Sequence, residues 1–222
     1  MPETKKKDFC CLIITGFGTG YQAGMILRDH LHENGMDAYL TAPSGKEQLK
    51  ISQEHWLHGV RMEYIALCHQ YERVAVIGIS LGGILLLHMQ DLNPAAVVFV
   101  NTPCAPPRQM DLLRLYKADL RPKIRGILRE PCGRYELYRL AKQTKSGTMQ
   151  SIHCPTLILQ SLDDKVCKAS NADRMHKQVN VQDKTLRLYA EGGHDVLNSD
   201  TVIAVCSDIF QFCSRIRGMG KQ

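Results

Sequence analysis

The chain has 222 residues, of which 44% are hydrophobic and 23% are charged, as is ordinary for one globular domain. Its net charge of +6 is uneven, because residues 105–150 hold 11 Lys or Arg against 4 Asp or Glu. The rest of the chain holds 17 Lys or Arg against 18 Asp or Glu. Because the excess of positive charge lies in one segment, the composition argues against a nucleic-acid-binding domain.

Neither a membrane span nor a disulfide framework is expected. No apolar run approaches the roughly 18 residues that span a bilayer, and the apolar run near the N-terminus, residues 9–14, is short for a signal peptide. We therefore expect no stable membrane anchor. The nine cysteines are odd in number and form no C-x-x-C pair, so we expect no metal site and predict a cytoplasmic protein. The oligomeric state is not predicted.

Apolar, β-branched runs alternate with amphipathic segments along the chain. The predicted strands are 9–14, 37–41, 74–79, 95–100, 156–160 and 185–189, and the predicted helices are 21–34, 53–71, 81–90, 168–179 and 199–215. This alternation predicts an α/β fold in which helices cover both faces of one mainly parallel six-stranded sheet. We expect one domain over 1–222, with residues 101–150 as an inserted helical segment, since they are too many for an ordinary connection.

Three glycines follow the first predicted strand, at positions 16, 18 and 20. Glycines at the end of a strand allow backbone amides to turn toward a bound anion. The segment is not a P-loop, because no Gly-Lys-Ser/Thr follows, and its spacing is not G-x-G-x-x-G. We therefore expect no nucleotide cofactor, and no other cofactor is indicated. A plain turn between strand and helix is the alternative interpretation.

The sequence Gly78-Ile-Ser-Leu-Gly82 joins the third predicted strand to the third predicted helix. A strand, a Ser-centred turn and a helix form the context in which G-x-S-x-G presents a nucleophile. In so sharp a turn Ser80 is expected to adopt a positive φ, and a Cβ at Gly78 or Gly82 would collide with the turn or the neighbouring strand. We predict that Ser80 is a nucleophile. A chance match in a loop is the alternative.

A serine hydroxyl needs a base that a third group orients, and this motif takes them in the order Ser, acid, His. The histidines after Ser80 are His88, His153, His176 and His194. Only His194 follows the C-terminal end of a predicted strand, where ligands bind in open parallel sheets. We predict that His194 is the base; a solvated loop histidine is the alternative.

The acid is expected after the preceding strand, in the segment Gln160-Ser-Leu-Asp-Asp-Lys-Val166. This segment offers Asp163 and Asp164, and we predict Asp164, two residues before Val166. Asp163 remains the alternative, and a plain surface charge accounts for either one singly. Asp195 adjoins His194 in sequence and is expected to face elsewhere.

Taken together, Gly78-Ile-Ser-Leu-Gly-Gly83, Asp164-Lys-Val166 and Gly193-His194 resemble the motifs of the α/β-hydrolase superfamily. Within it the chain is most similar to small carboxylesterases and monoacylglycerol-lipase-type serine hydrolases, from Phe9 onward. The resemblance implies an α/β-hydrolase fold, a small-molecule acyl ester as substrate, an acyl-enzyme on Ser80, and no cofactor.

The resemblance also implies an oxyanion hole formed by the backbone N–H groups of Phe17 and Leu81, and a helical lid over residues 102–150. One departure is Thr15-Gly16, where the family usually has His-Gly. Two alternatives remain open. The basic lid is compatible with an acyl-thioesterase acting on acyl-CoA or acyl-carrier protein. A non-catalytic binding module is the other, although such proteins typically lose a triad member and none is missing here.

Overall fold

The computed structural model describes residues 5–16, 20–41, 53–103 and 149–221. Phe17 lies outside these ranges. So do residues 104–148, which make up nearly all of the predicted lid.

The described residues contain one six-stranded sheet in which every neighbouring pair of strands is parallel. Its strands are β1 (Lys7–Ile14), β2 (Asp37–Thr41), β3 (Tyr71–Ile79), β4 (Ala96–Val100), β5 (Thr156–Ser161) and β6 (Lys184–Tyr189), and they lie in the order β2-β1-β3-β4-β5-β6. The prediction of a parallel six-stranded sheet is confirmed.

Helices cover both faces of this sheet. They are α1 (Gly20–Glu33), α2 (Gln53–Gln70), α3 (Leu81–Leu87), α4 (Ala169–Gln178) and α5 (Val202–Gly218). One core cluster packs α2, α3 and α4 against the sheet, and a second packs α1 and α5 against its other face. Among the described helices none is both long and apolar enough to cross a bilayer.

The central strand β4 shows why its sequence is apolar throughout. All five of its residues are buried, with Val97 and Phe99 in one core cluster and Val98 and Val100 in the other. Successive side chains of a strand point to opposite faces, so a strand covered on both sides needs apolar residues at every position. An uninterrupted apolar run therefore predicted this strand correctly, to within one residue.

Several element boundaries differ from the sequence prediction by one to three residues, and two of these lie in the elements on either side of Ser80. β3 begins at Tyr71 rather than at residue 74, because 71–73 pair with the start of β1 although Glu72 is charged and exposed. α3 ends at Leu87 rather than at residue 90, and His88 follows it as the C-cap. Neither change moves the carboxyl ends of the strands.

The strand order reverses between β1 and β3: from β1 the chain first adds a strand on one side and then continues on the other side. β2 lies on one side of β1, whereas β4, β5 and β6 follow in sequence on the far side of β3. In open parallel sheets ligands bind in the crevice beyond the carboxyl ends of the strands at such a reversal. Ser80 follows the last residue of β3 and therefore lies at this crevice.

Candidate active site

Ser80 lies in the sharp turn between β3 and α3. Its backbone has φ 53° and ψ −114°, in the region of positive φ that costs a residue with a Cβ conformational energy. The turn is held from both sides, since the Ser80 N–H donates to the carbonyl of Val100 (2.8 Å) and the Ser80 carbonyl accepts from the N–H of Gly83 (3.0 Å). These bonds fix the serine at the carboxyl end of the sheet.

The glycines of the motif are required by crowding, as the sequence predicted. A Cβ on Gly82 would collide with the carbonyl oxygen of Ile14 at the end of β1, and one on Gly78 would lie 2.5 Å from Cα of Gly83. In both cases the obstacle is backbone, which cannot move aside as a flexible side chain can. The strand and the helix therefore approach closely enough to form the turn only with glycine at these positions.

His194 lies opposite the serine in the loop after β6. Its Nε2 is 2.8 Å from Oγ of Ser80. The loop turns through Gly192 (φ 131°) and Gly193 (φ 60°), backbone conformations that favour glycine. The two residues are 114 positions apart in the chain, and the parallel topology brings them together because both follow the carboxyl ends of strands.

Asp164 lies on the far side of the imidazole, in the loop after β5. Its Oδ2 is 2.9 Å from Nδ1 of His194, and its side chain is fully buried. Oδ1 accepts hydrogen bonds from the backbone N–H groups of Val166 (2.7 Å) and Cys167 (2.9 Å). The side-chain amide of Gln160 donates to Oδ2 over 3.3 Å. The carboxylate is thus held by uncharged donors.

The hydrogen bonds of the imidazole determine what it can do. In the described ranges, His194 is the only partner that forms an ion pair with Asp164. When Nδ1–H donates to this carboxylate, Nε2 carries the lone pair and can accept the hydroxyl proton of Ser80. These bonds have the geometry that a nucleophile, a general base and an orienting acid require.

Comparisons with known proteins show what this chain is similar to. The sequence profile of the family described as serine aminopeptidase, S33 matches residues 132–201, which include Asp164 and His194. A carboxylesterase of Bacillus subtilis (strain 168) is 22% identical over 96% of this chain and 95% of its own length.

Solved structures show the same fold. A structure from a study of the metagenome-derived lipolytic enzymes LipS and LipT superposes with a TM-score of 0.77 at 13% identity, covering 97% of this chain and 99% of that one. A monoacylglycerol lipase of Paleococcus ferrophilus superposes with a TM-score of 0.67 at 14% identity, covering 96% and 98%. Nearly the whole length of each protein is matched, so the likeness extends over the whole fold. The chain has the α/β-hydrolase fold.

The region of the predicted oxyanion hole is described only in part. Leu81 is the first residue of α3, and the N–H groups of a helix's first turn have no partner within the helix. A Cβ on Gly16 would lie 3.6 Å from the Leu81 nitrogen, so the segment after β1 runs beside this amide. Phe17, the other predicted donor, lies outside the described residues.

Thr15, which replaces the family's usual histidine, is fully buried at the end of β1. Its N–H donates to the carbonyl of Thr41 (3.1 Å). Its hydroxyl has no hydrogen-bond partner within the described part of the chain. The substitution therefore leaves the backbone after β1 anchored to β2.

The other candidates weighed from the sequence lie away from the serine. His88 ends α3, His153 precedes β5 and His176 lies within α4. Asp163 accepts a hydrogen bond from the N–H of Gly193 (2.8 Å) and so supports the loop that carries His194, here called the histidine loop. Asp195 accepts a hydrogen bond from the side chain of Asn198.

Three potential metal ligands meet at the site, namely Asp164, Cys167 and His194, whose ligand atoms lie within 4.8 Å of one another. Coordination through Nδ1 would replace the hydrogen bond between His194 and Asp164 with bonds to an ion. The hydrogen-bonded pair already gives each of the two groups a partner.

Sequence reasoning missed one residue of the site, Asn101. It follows β4 directly, is 1% exposed and has φ 44°. Its side chain contacts the loops that carry both Asp164 and His194, as described below. Its position in the sequence could have indicated its role. A polar residue directly after a buried parallel strand lies at the same edge of the sheet as Ser80.

Proposed function

We propose that this hydrolase cleaves carboxylic esters through an acyl-enzyme on Ser80. The observation that supports this proposal is the pair of hydrogen bonds in series, 2.8 Å from Ser80 Oγ to His194 Nε2 and 2.9 Å from His194 Nδ1 to Asp164 Oδ2. Both lengths are within the range of strong hydrogen bonds. The base is therefore already placed to take the hydroxyl proton.

The chemistry proceeds in two stages. Ser80 Oγ attacks the ester carbonyl while His194 accepts its proton, and the protonated ring then delivers that proton to the departing alcohol. Water attacks the acyl-enzyme in the second stage, with His194 again as the base, and releases the acid. Asp164 holds the ring in the required tautomer and stabilises its positive charge during both stages.

The developing oxyanion is assigned to the backbone N–H groups of Leu81 and Phe17. Leu81 directly follows the nucleophile at the start of α3, where the helix dipole favours negative charge. Donors of this kind contribute about 3 kcal/mol each to stabilisation of the transition state. We further propose that residues 102–150 form a lid whose apolar side chains hold the acyl chain.

The substrate is proposed to be a small acyl ester or a monoacylglycerol-like lipid. Among similar proteins, one is named a carboxylesterase and another a monoacylglycerol lipase. Turnover of p-nitrophenyl esters of increasing chain length would give the preferred acyl group.

A thioesterase is the second candidate, and one observation favours it. The balance of +7 over residues 105–150 would attract an anionic carrier such as acyl-CoA or acyl-carrier protein. If it does, kcat/KM for the anionic thioester falls steeply with salt, while that for a neutral ester does not. An equal salt dependence for the two substrates would count against the thioesterase.

A fluorophosphonate probe tests the proposed nucleophile and separates an enzyme from a non-catalytic binding module. The folded wild-type protein should be labelled covalently, and Ser80→Ala should abolish both labelling and ester turnover while leaving the fold intact. Ser170→Ala, which removes an exposed serine on α4, is the matched control and should label as the wild type does. Unlabelled, folded wild-type protein would favour the binding module.

A further inference from the structure

The side chain of Asn101 joins the two loops that carry the acid and the base. Its amide nitrogen donates to the carbonyl oxygens of Gly193 and His194, each at 2.9 Å. Its amide oxygen accepts from the N–H of Ser161 (2.9 Å) at the end of β5, three residues before Asp164. One planar amide therefore sets the distance between these loops.

The backbone of Asn101 is tied to the same structure. Its N–H donates to the carbonyl of Leu159 in β5 (3.0 Å). The preceding residue, Val100, supplies the carbonyl that holds the N–H of Ser80. Asn101 is thus connected to the loops or turns of all three proposed catalytic residues, through its main chain on one side and its amide on the other.

The histidine loop needs an external restraint of this kind. Gly192 and Gly193 give it a backbone with much conformational freedom, and in the described ranges no heavy atom beyond the two adjoining residues lies within 4 Å of where a Cβ on Gly193 would be. The two carbonyls bound by Asn101 belong to the peptide groups on either side of the His194 Cα. Holding both groups fixes the direction in which the imidazole leaves the main chain.

The conformation of Asn101 indicates that its side chain matters at this place. Its φ of 44° lies in the left-handed region, which is costly for most residues and in which Asn and Asp are enriched. Glycine would avoid the conformational cost but would supply no amide. The residue combines tolerance of this backbone with two part-buried donor bonds and one buried acceptor bond.

From these contacts we infer that Asn101 is a positioning residue that holds His194 at proton-transfer distance from Ser80. This inference rests on the proposed serine-hydrolase function. The side-chain hydrogen bonds of Asn101 in the described ranges go to main-chain groups, and it acts through the main chain of His194. Misplacing a catalytic group by about 1 Å can cost on the order of 100-fold in rate, which sets the scale of the expected effect.

The test is Asn101→Asp, which keeps the shape and the acceptor for Ser161 but places a carboxylate oxygen against two carbonyl oxygens. We expect kcat to fall about 10- to 100-fold with KM changed less than about twofold, because ground-state binding is not involved. The rate of fluorophosphonate labelling should fall with kcat. If the Asp variant does not fold, Asn101→Gly takes its place in the test. It permits the same φ but lacks the amide, and it should show the same pattern of kcat and KM.

The matched control is Asn93→Asp. Asn93 lies before β4 as Asn101 lies after it, has φ 48° and is exposed, so the same substitution there should leave kcat unchanged. A purely structural role would lower the melting temperature of the Asn101 variants but leave kcat per folded molecule at the wild-type value, and that result would overturn the inference. Failure of the wild type itself to label or turn over would instead overturn the proposed function.

Discussion

The two ends of the parallel sheet use aspartate in opposite ways. At the amino end Asp37, about half exposed, accepts hydrogen bonds from the Tyr71 hydroxyl (2.7 Å) and the Lys7 ammonium (3.0 Å). At the carboxyl end Asp164 is fully buried and is held by uncharged amides and by His194. A cation neutralises the first charge, whereas the second remains directed at the imidazole.

The hydrogen bond at the amino end stabilises both of its members in the native state. Tyr71, with a smaller contribution from Lys7, lowers the pKa of Asp37 although partial burial opposes this. Burial, aided by the hydrogen bonds to Tyr39 and Asp37, raises the pKa of the Tyr71 hydroxyl. These hydrogen bonds therefore stabilise the fold at neutral pH. We predict that they contribute nothing to turnover, because they lie at the end of the sheet opposite to Ser80.

The largest difference between the ends should appear when each aspartate is changed to asparagine. Asp164→Asn should lower kcat about 10⁴-fold, because the imidazole then adopts the tautomer whose Nε2 carries a proton and cannot accept one from Ser80. Asp37→Asn should leave kcat within about twofold of the wild-type value. Steady-state kinetics on one ester measures both, and comparable losses of kcat would break the distinction between the two ends.

A smaller effect, on stability, is expected from the glycines. Gly82→Ala drives a Cβ into the carbonyl of Ile14 and should cost about 1–3 kcal/mol or more in the free energy of unfolding. Gly59→Ala, on α2 with no neighbour within 4 Å, should instead stabilise by about 0.5–1 kcal/mol. Urea denaturation of both variants measures the contrast, and an unchanged midpoint for Gly82→Ala would show that the turn has room to relax.

Most of the fold was predictable because its causes are local in the sequence. Apolar runs such as 96–100 form strands that are covered on both faces, and Gly82 is required by the close approach of Ile14. The positive φ of Ser80 was expected from the same turn and is observed. Alternation of strands and helices was then sufficient to predict the parallel sheet.

The contacts of Asn101 could not be predicted, because they depend on how far three loops reach over the edge of the sheet. Its partners lie 60 to 93 positions away, and no sequence period relates them. The choice between Asp163 and Asp164 had the same difficulty. Adjacent carboxylates in one loop point in different directions, and only the coordinates show that Asp163 bonds to Gly193 N–H while Asp164 bonds to the imidazole.

The smallest predicted effect is the pH dependence of the amino-end cluster. Because the folded pKa of Asp37 is below its unfolded value of 3.8, its contribution is present above pH 3.8 and is lost as the pH falls through the folded pKa. Since the pair is largely exposed, Asp37→Asn should cost less than about 1 kcal/mol at pH 7. Melting temperatures of the two proteins should converge in acid; a difference that persists there would show that Asp37 acts through packing.

The central claim is that Asp164 and His194 activate Ser80 for acyl transfer, and trapping the intermediate tests it most directly. The protein is mixed with a p-nitrophenyl ester, quenched in acid during the burst and digested, and the acylated peptide is sequenced by mass spectrometry. The account predicts one acyl group per molecule, on Ser80, and none when His194 is replaced by alanine. An acyl group on another residue, or equal acylation without His194, would contradict it.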